Sequence, residues 1–268
     1  MKRINIFKKM SVRLIFFLNF TIYSQNSNFK IFENYRDYGF GVSFAQFKKA
    51  SITINQGNYI LNNYADTNFN YSIKKYFKKE NEWSYFTGLS YNKTPAFNFD
   101  FTFKEEDIQG VDDPYIGFFG PKEVYKYFST MIGVENKLQL TKNIFFNANL
   151  SLNLSYIQNG SESLILSISD ESEEIIRDVE VFGVLVDTQD NEIQGSAKIS
   201  AGVYIPLKFF MLQANICYNK NFQNIFKGVY VFDNLLVSER TKGDYKVSGN
   251  YLGISISVFF KRSEKNKK

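Results

Sequence analysis

The chain contains no histidine, one cysteine and only four prolines in 268 residues. Without histidine, Ser–His and Cys–His catalytic pairs are excluded, and so is every His-ligated metal site. Cys217 alone rules out an intramolecular disulfide framework. After residue 25 no apolar run approaches the roughly 20 residues that a spanning helix needs. The body of the chain also lacks any excess of one charge. The formal net charge is +5, and Lys2, Arg3, Lys8, Lys9 and Arg13 account for all of it. A basic nucleic-acid binder is therefore a poor reading, because the excess sits in one removable segment.

That segment reads as a secretory signal. A basic stretch runs to Arg13, followed by apolar residues from Leu14 through Phe20 and Ile22 to Tyr23. The apolar part is about ten residues, short for a spanning helix and right for a signal peptide. Ser24 is a small residue suited to cleavage, so residues 1–24 are expected to be removed, leaving Gln25 as the mature start. Cysteine does not follow the apolar part, and nothing supports a lipid anchor. Export is expected.

What the chain has in quantity is two-residue alternation, the mark of strands with two unlike faces. In 146–156 one face is Phe146, Ala148, Leu150, Leu152, Leu154 and Tyr156, and the other is Asn147, Asn149, Ser151, Asn153 and Ser155. The stretch 251–260 sets Leu252, Ile254, Ile256, Val258 and Phe260 against Gly253, Ser255 and Ser257. In 38–44, aromatic and aliphatic residues oppose Gly39, Gly41 and Ser43.

Extended along the chain, the same pattern predicts eight strands: 37–47, 68–77, 83–93, 125–140, 144–157, 196–205, 209–220 and 245–260. Each is near or above the 9–11 residues or so of a tilted membrane strand. The intervening gaps are 20, 5, 31, 3, 38, 3 and 24 residues, so long and short alternate without exception. An eight-stranded, antiparallel, up-and-down transmembrane barrel has this rhythm. The expected all-β domain covers 25–260, with a basic tail over 261–268. The short turns 78–82, 141–143 and 206–208 would face the periplasm and the four long loops the exterior.

A soluble barrel of lipocalin type would share the rhythm, so the faces must decide. Eight strands enclose room for packed side chains and little more. The polar face is the small one (Gly39, Gly41, Ser43, Ser151, Ser200, Gly202, Gly253, Ser255, Ser257), which suits a cramped interior. The bulky apolar face suits lipid. Aromatics near segment ends, among them Trp83, Tyr85, Tyr156 and Phe260, fit interfacial girdles.

The signal ending Tyr23-Ser24-Gln25, the first strand with Gly39-Phe40-Gly41 and the closing strand over 251–260 carry a family resemblance. The chain resembles the small porin-like outer-membrane β-barrel proteins of Bacteroidetes-type bacteria, over about residues 30–260. The resemblance implies a Gram-negative outer-membrane location and a closing strand read by the barrel-assembly machinery. Members usually stop near the terminal aromatic, whereas this chain continues from Lys261 to Lys268.

Alternation points Lys74, Glu135, Lys137 and Lys198 into the lumen, where charges must pair or stay wet. A structural network is expected, with Glu135 facing Lys198 or Lys74; a narrow cation-lined path is the sharper alternative. Cys217 falls on the same face as a small packed residue. The third long loop, 158–195, holds ten acids against Arg177 alone, a net of −9, and the second, 94–124, a net of −5. Carboxylate clusters can hold Ca²⁺, which makes Asp112, Asp113, Asp187 and Asp190 weak candidates, although no EF-hand loop is present. A solvated acidic surface is the plainer reading. Strand-like pieces at 97–103, 164–168 and 181–186 imply that neighbouring strands continue as hairpins above the membrane.

No cofactor is indicated. The outer-membrane phospholipase, omptin-type protease and lipid A palmitoyltransferase families use a catalytic histidine, so a non-enzymatic barrel is expected. Three roles remain: surface binding or membrane structuring through the long loops, a narrow solute channel, or a barrel component of a secretion system resembling type IX. Expected partners are outer-membrane lipid, the assembly machinery, and an unidentified surface ligand or secretion partner.

Overall fold

The computed structural model describes residues 29–107, 116–119, 125–170, 177–188 and 192–263. Sixteen strands lie among them: β1 (Tyr38–Phe47), β2 (Ser51–Gln56), β3 (Asn62–Asn63), β4 (Thr67–Phe77), β5 (Trp83–Thr94), β6 (Phe99–Thr102), β7 (Ile116–Phe119) and β8 (Tyr125–Thr141), then β9 (Ile144–Tyr156), β10 (Ser161–Asp170), β11 (Arg177–Thr188), β12 (Ile193–Pro206), β13 (Phe210–Asn221), β14 (Phe226–Phe232), β15 (Thr241–Val247) and β16 (Tyr251–Phe260). Eight of them form a closed antiparallel barrel in the order β1-β16-β13-β12-β9-β8-β5-β4. First and last strands close it, with Phe40 opposite Val258 and Phe47 opposite Tyr251.

The wall is inside out by the standard of a soluble protein. Along β9, Asn147, Asn149, Ser151, Asn153 and Ser155 are buried, while Leu150, Leu152, Leu154 and Tyr156 are exposed. The same outward belt runs through Leu89, Ile132, Ile199, Ile216, Leu252, Ile254 and Ile256. Each such side chain left in water forgoes about 1.5–3 kcal/mol of burial. A wall of this kind is stable only in an apolar surrounding. Exposed aromatics ring both rims: Tyr38, Phe77, Trp83, Tyr85, Phe209 and Phe260 at the short-turn end, and Phe69, Tyr71, Phe128, Tyr156, Tyr218 and Phe222 at the other.

Seven of the eight expected strands lie where alternation placed them, within a few residues. The eighth differs. Residues 245–260 do not form one strand but two, β15 and β16, parted at Ser248–Asn250. Gly249 takes φ +66° there, and a Cβ on it would lie 2.1 Å from Ile225 Cδ1. The apolar face changes parity at the break, from Tyr245 and Val247 before it to Leu252, Ile254 and Ile256 after it.

Above the long-loop rim the other strands form two sheets, β10-β11-β14-β15-β2 and β3-β6-β7. Their orders repeat the orders of the barrel strands from which each one emerges. The five-stranded sheet continues β9, β12, β13, β16 and β1, and the three-stranded sheet continues β4, β5 and β8. The barrel thus opens along two seams into a folded cap. The two sheets meet on an aromatic core, with Phe101 of β6 4.4 Å from Phe182 of β11 and 5.0 Å from Phe232 of β14 between ring centroids. Phe99 meets Tyr245 of β15 at 5.7 Å. The expected hairpins are therefore walls of a two-layered unit with its own core.

The short-turn end is closed by the chain's own start. Phe29–Asn34 is a 3-10 helix, whose period of three sets Phe29, Phe32 and Tyr35 along one face. That face plugs the barrel mouth against Tyr76, Phe86, Phe145, Tyr204, Met211 and Phe259. Gly39 leaves the space that the Phe259 ring fills, since a Cβ there would come within 2.5 Å of it.

Candidate functional site

Inside the barrel, Glu135 (β8) is wholly buried. Its carboxylate accepts hydrogen bonds from the Tyr204 hydroxyl, 3.0 Å from each oxygen, and from Gln213 Nε2 at 2.9 Å. Lys137, two residues along and equally buried, donates to the Lys79 carbonyl and to Ser84 Oγ, and lies 4.7 Å from the Phe32 ring centroid. Lys79 turns inward from the short turn, donates to the Arg36 carbonyl at 3.0 Å and stands 3.7 Å from the Phe259 ring centroid. Cations are thus stacked against the aromatic faces of the plug. Nothing in the alternation singled out Lys79, because it lies in a turn.

Lys74 stands between the Glu135 layer and Lys198. Lys74 is 9 % exposed and lies 5.0 Å from the Phe86 ring centroid. Lys198 reaches Tyr251 and Cys217, with Cys217 itself a buried free thiol. These two lysines line one polar chamber with Asn70, Ser129, Asn153 and Ser196. A dense amide and hydroxyl network fills the wall there: Asn92 Nδ2 donates to Ser129 Oγ at 2.9 Å, Ser129 and Ser155 share a bond at 2.7 Å, and Asn153 donates to Ser196 at 3.0 Å.

The plug is fastened by Arg262, which the sequence placed in a basic tail. Its guanidinium donates to both carboxylate oxygens of Asp37 at 2.8 Å, and its Nε to the Tyr35 carbonyl at 3.2 Å. Tyr35 in turn donates its hydroxyl to the Leu207 carbonyl at 2.8 Å. The two ends of the described chain are tied together across the barrel mouth. A lone arginine after a strand carries no pattern that could announce such a pairing.

On the cap, Asp107 is the hub. Tyr59 donates its hydroxyl to Asp107 Oδ2, and the backbone N–H groups of Ser238 and Val237 donate to Oδ1 at 2.6 and 3.2 Å. Burial works against the Asp107 charge, yet the bonds from Tyr59, Ser238 and Val237 outweigh it and hold the carboxyl below its usual range. The Tyr59 hydroxyl is pushed up to about 12, by burial first and by Asp107 second. The outward face of the five-stranded sheet carries a groove of about 380 Å³ along Ile165, Gly183, Leu185, Val229 and Val231. The ion pair Arg240–Asp233, at 3.0 Å, edges it. Ile165, Leu185 and Val229 are exposed.

Of the weak Ca²⁺ candidates, Asp112, Asp113 and Asp190 lie outside the described residues, as do the signal 1–24 and residues 264–268. Asp187 stands in β11 opposite Ser161 and Lys227. Among the described residues there is no cluster of three or more metal-ligating side chains.

No protein-family model matches the chain, and no curated protein sequence matches it. Solved structures with a similar course include the outer membrane protein OprG from Pseudomonas aeruginosa, at 10 % identity and TM-score 0.36, covering 85 % of this chain and 98 % of that one. Neisserial surface protein A is similar at 11 % identity and TM-score 0.35, covering 84 % and 97 %. The attachment invasion locus protein Ail of Yersinia pestis is similar at 12 % identity and TM-score 0.26, covering 83 % and 99 %.

Proposed function

We propose that the chain is an outer-membrane barrel of the Bacteroidetes-type porin-like kind whose lumen is structural and whose work is done by the cap at the cell surface. The observation that carries this reading is the plug. Phe32 is fully buried across the barrel mouth with Lys137 behind it, so the lumen serves as packing and not as a solute path. The apolar outer wall with aromatic rims supports lipid as its surroundings. The cap, with its own aromatic core, supports a rigid surface module that binds without chemistry. Its exposed apolar groove, edged by charge, has the character of an interaction surface.

With this orientation the short turns face the periplasm and residues 1–24 act as the cleaved signal. Two measurements test the reading together. Fractionation and heat-modifiable gel migration should place the protein in the outer membrane, and planar bilayers should show no steady conductance. Recovery as a soluble periplasmic monomer removes the location, and a steady conductance replaces the binding role with the channel.

A further inference from the structure

The lumen is out of electrostatic balance. Lys74, Lys79, Lys137 and Lys198 point into it, and Glu135 is the one acid that does so among the described residues. Glu135 belongs to the plug half, where Tyr204 and Gln213 bind its oxygens and Lys137, Lys74 and Lys79 all act on its charge. Lys74 and Lys198 also line one chamber whose described walls contain no carboxylate, so a single acid faces three of the four cations. Two cations sharing a low-dielectric space repel each other and require a counter-charge or water.

The donors confirm the direction. Lys74 Nζ donates to no protein acceptor among the described residues, although the side chain is 9 % exposed. Asn70 Nδ2, on the same wall of β4, is buried and without an acceptor. Ser196 donates to Asn219 Oδ1 at 3.2 Å, whereas one hydroxyl of the bonded pair Ser129 and Ser155 keeps a proton that can turn toward the same space. Everything that faces the chamber without a partner is a donor.

The chamber has room for a small ligand. We propose that the chamber beside Lys74 and Asn70 is a binding site for one small inorganic anion, for which a halide serves as the probe. The site lies in the barrel lumen and is independent of what the cap binds.

The test uses the whole mature protein in detergent. Melting is followed in sodium bromide and in sodium gluconate at equal ionic strength, gluconate being too large to enter. Bromide should raise the melting temperature along a saturating curve, as a ligand of the folded state does. K74M should lose that dependence, while K208M, at a short turn outside the lumen, should keep it. Crystals grown in bromide should show an anomalous peak within hydrogen-bond distance of Lys74 Nζ. Equal melting in both salts, a bromide effect that survives K74M, or crystals without that peak would each overturn the site. If K74M does not fold, N70L and the bromide peak in the unaltered protein decide it.

Discussion

Phe32 stands edge-on to Tyr204, with ring centroids 5.1 Å apart and planes at 90°, and Tyr204 passes its hydroxyl on to Glu135. One contact therefore joins the plug to the charged layer of the lumen. The plug reaches the interior through a ring edge resting on an aromatic face, and the interior charge is steadied by the same ring's hydroxyl. Closing the mouth and holding the charge are a single arrangement.

Removing the plug's central ring should show both effects. Phe32→Ala should cost about 3–5 kcal/mol, the range for emptying a buried phenylalanine site. It should also open intermittent conductance in planar bilayers where the unaltered protein is silent. Denaturant unfolding in detergent gives the first number and single-channel recording the second. A variant as stable and as silent as its parent would show that the plug is ornamental.

The charged layer should respond to loss of its acid. Glu135→Gln preserves the shape while leaving Lys137 and Lys79 without their opposite charge, for about 3–5 kcal/mol. Adding Lys137→Met should recover part of that loss, because it removes a cation which no longer has a counterpart. A neutral effect of the single change would mean that Glu135 carries a proton in the folded barrel.

Outer-wall positions should obey the rule for lipid. Leu152 is 53 % exposed at the middle of β9, and its neighbour Ser151 is buried. Leu152→Arg should cost about 2–4 kcal/mol at mid-membrane depth. Ser151→Ala, which removes one small inward hydroxyl, should cost far less. Unfolding from lipid vesicles measures both, and the reverse ranking would place water outside the wall.

Acid should loosen the cap before the barrel. The Asp107 carboxyl is held below its usual range in the folded state, so its contribution is complete above the unfolded value of about 3.9. It is lost as the pH falls from there through the lower folded value. Asp107→Asn should remove this acid-sensitive step and lower cap stability at neutral pH, since charge-assisted bonds to Tyr59, Val237 and Ser238 are worth about 1.5–3 kcal/mol each at most. Hydrogen exchange of 236–238 between pH 5 and pH 3 reads the change. Identical protection at both values would leave Asp107 without the role.

The barrel was legible in the sequence because a strand's two faces are written at period two, and lipid and lumen demand opposite chemistry of them. Leu150–Leu152–Leu154 against Ser151–Asn153–Ser155 states both the strand and its inside. Lys74, Lys137 and Lys198 followed from the same parity, whereas Lys79, in a turn, did not. The cap was only half legible. Phe97–Phe103 alternates as strictly as a barrel strand, but which strand it meets depends on how eight strands leave a closed rim, a matter of order around the barrel. The seam at Gly249 was missed although the apolar face changes parity across it, from Tyr245 and Val247 to Leu252 and Ile254. The plug and its clasp were invisible. Phe32 meets Tyr204 across 172 positions and Asp37 meets Arg262 across 225, and no local pattern encodes contacts of that separation. Sequence by itself determined which face of each strand would be wet, since that rests on the residue alone. Tertiary structure decided what fills the mouth and which charges share a chamber, since those depend on barrel closure bringing distant strands within a side chain's reach.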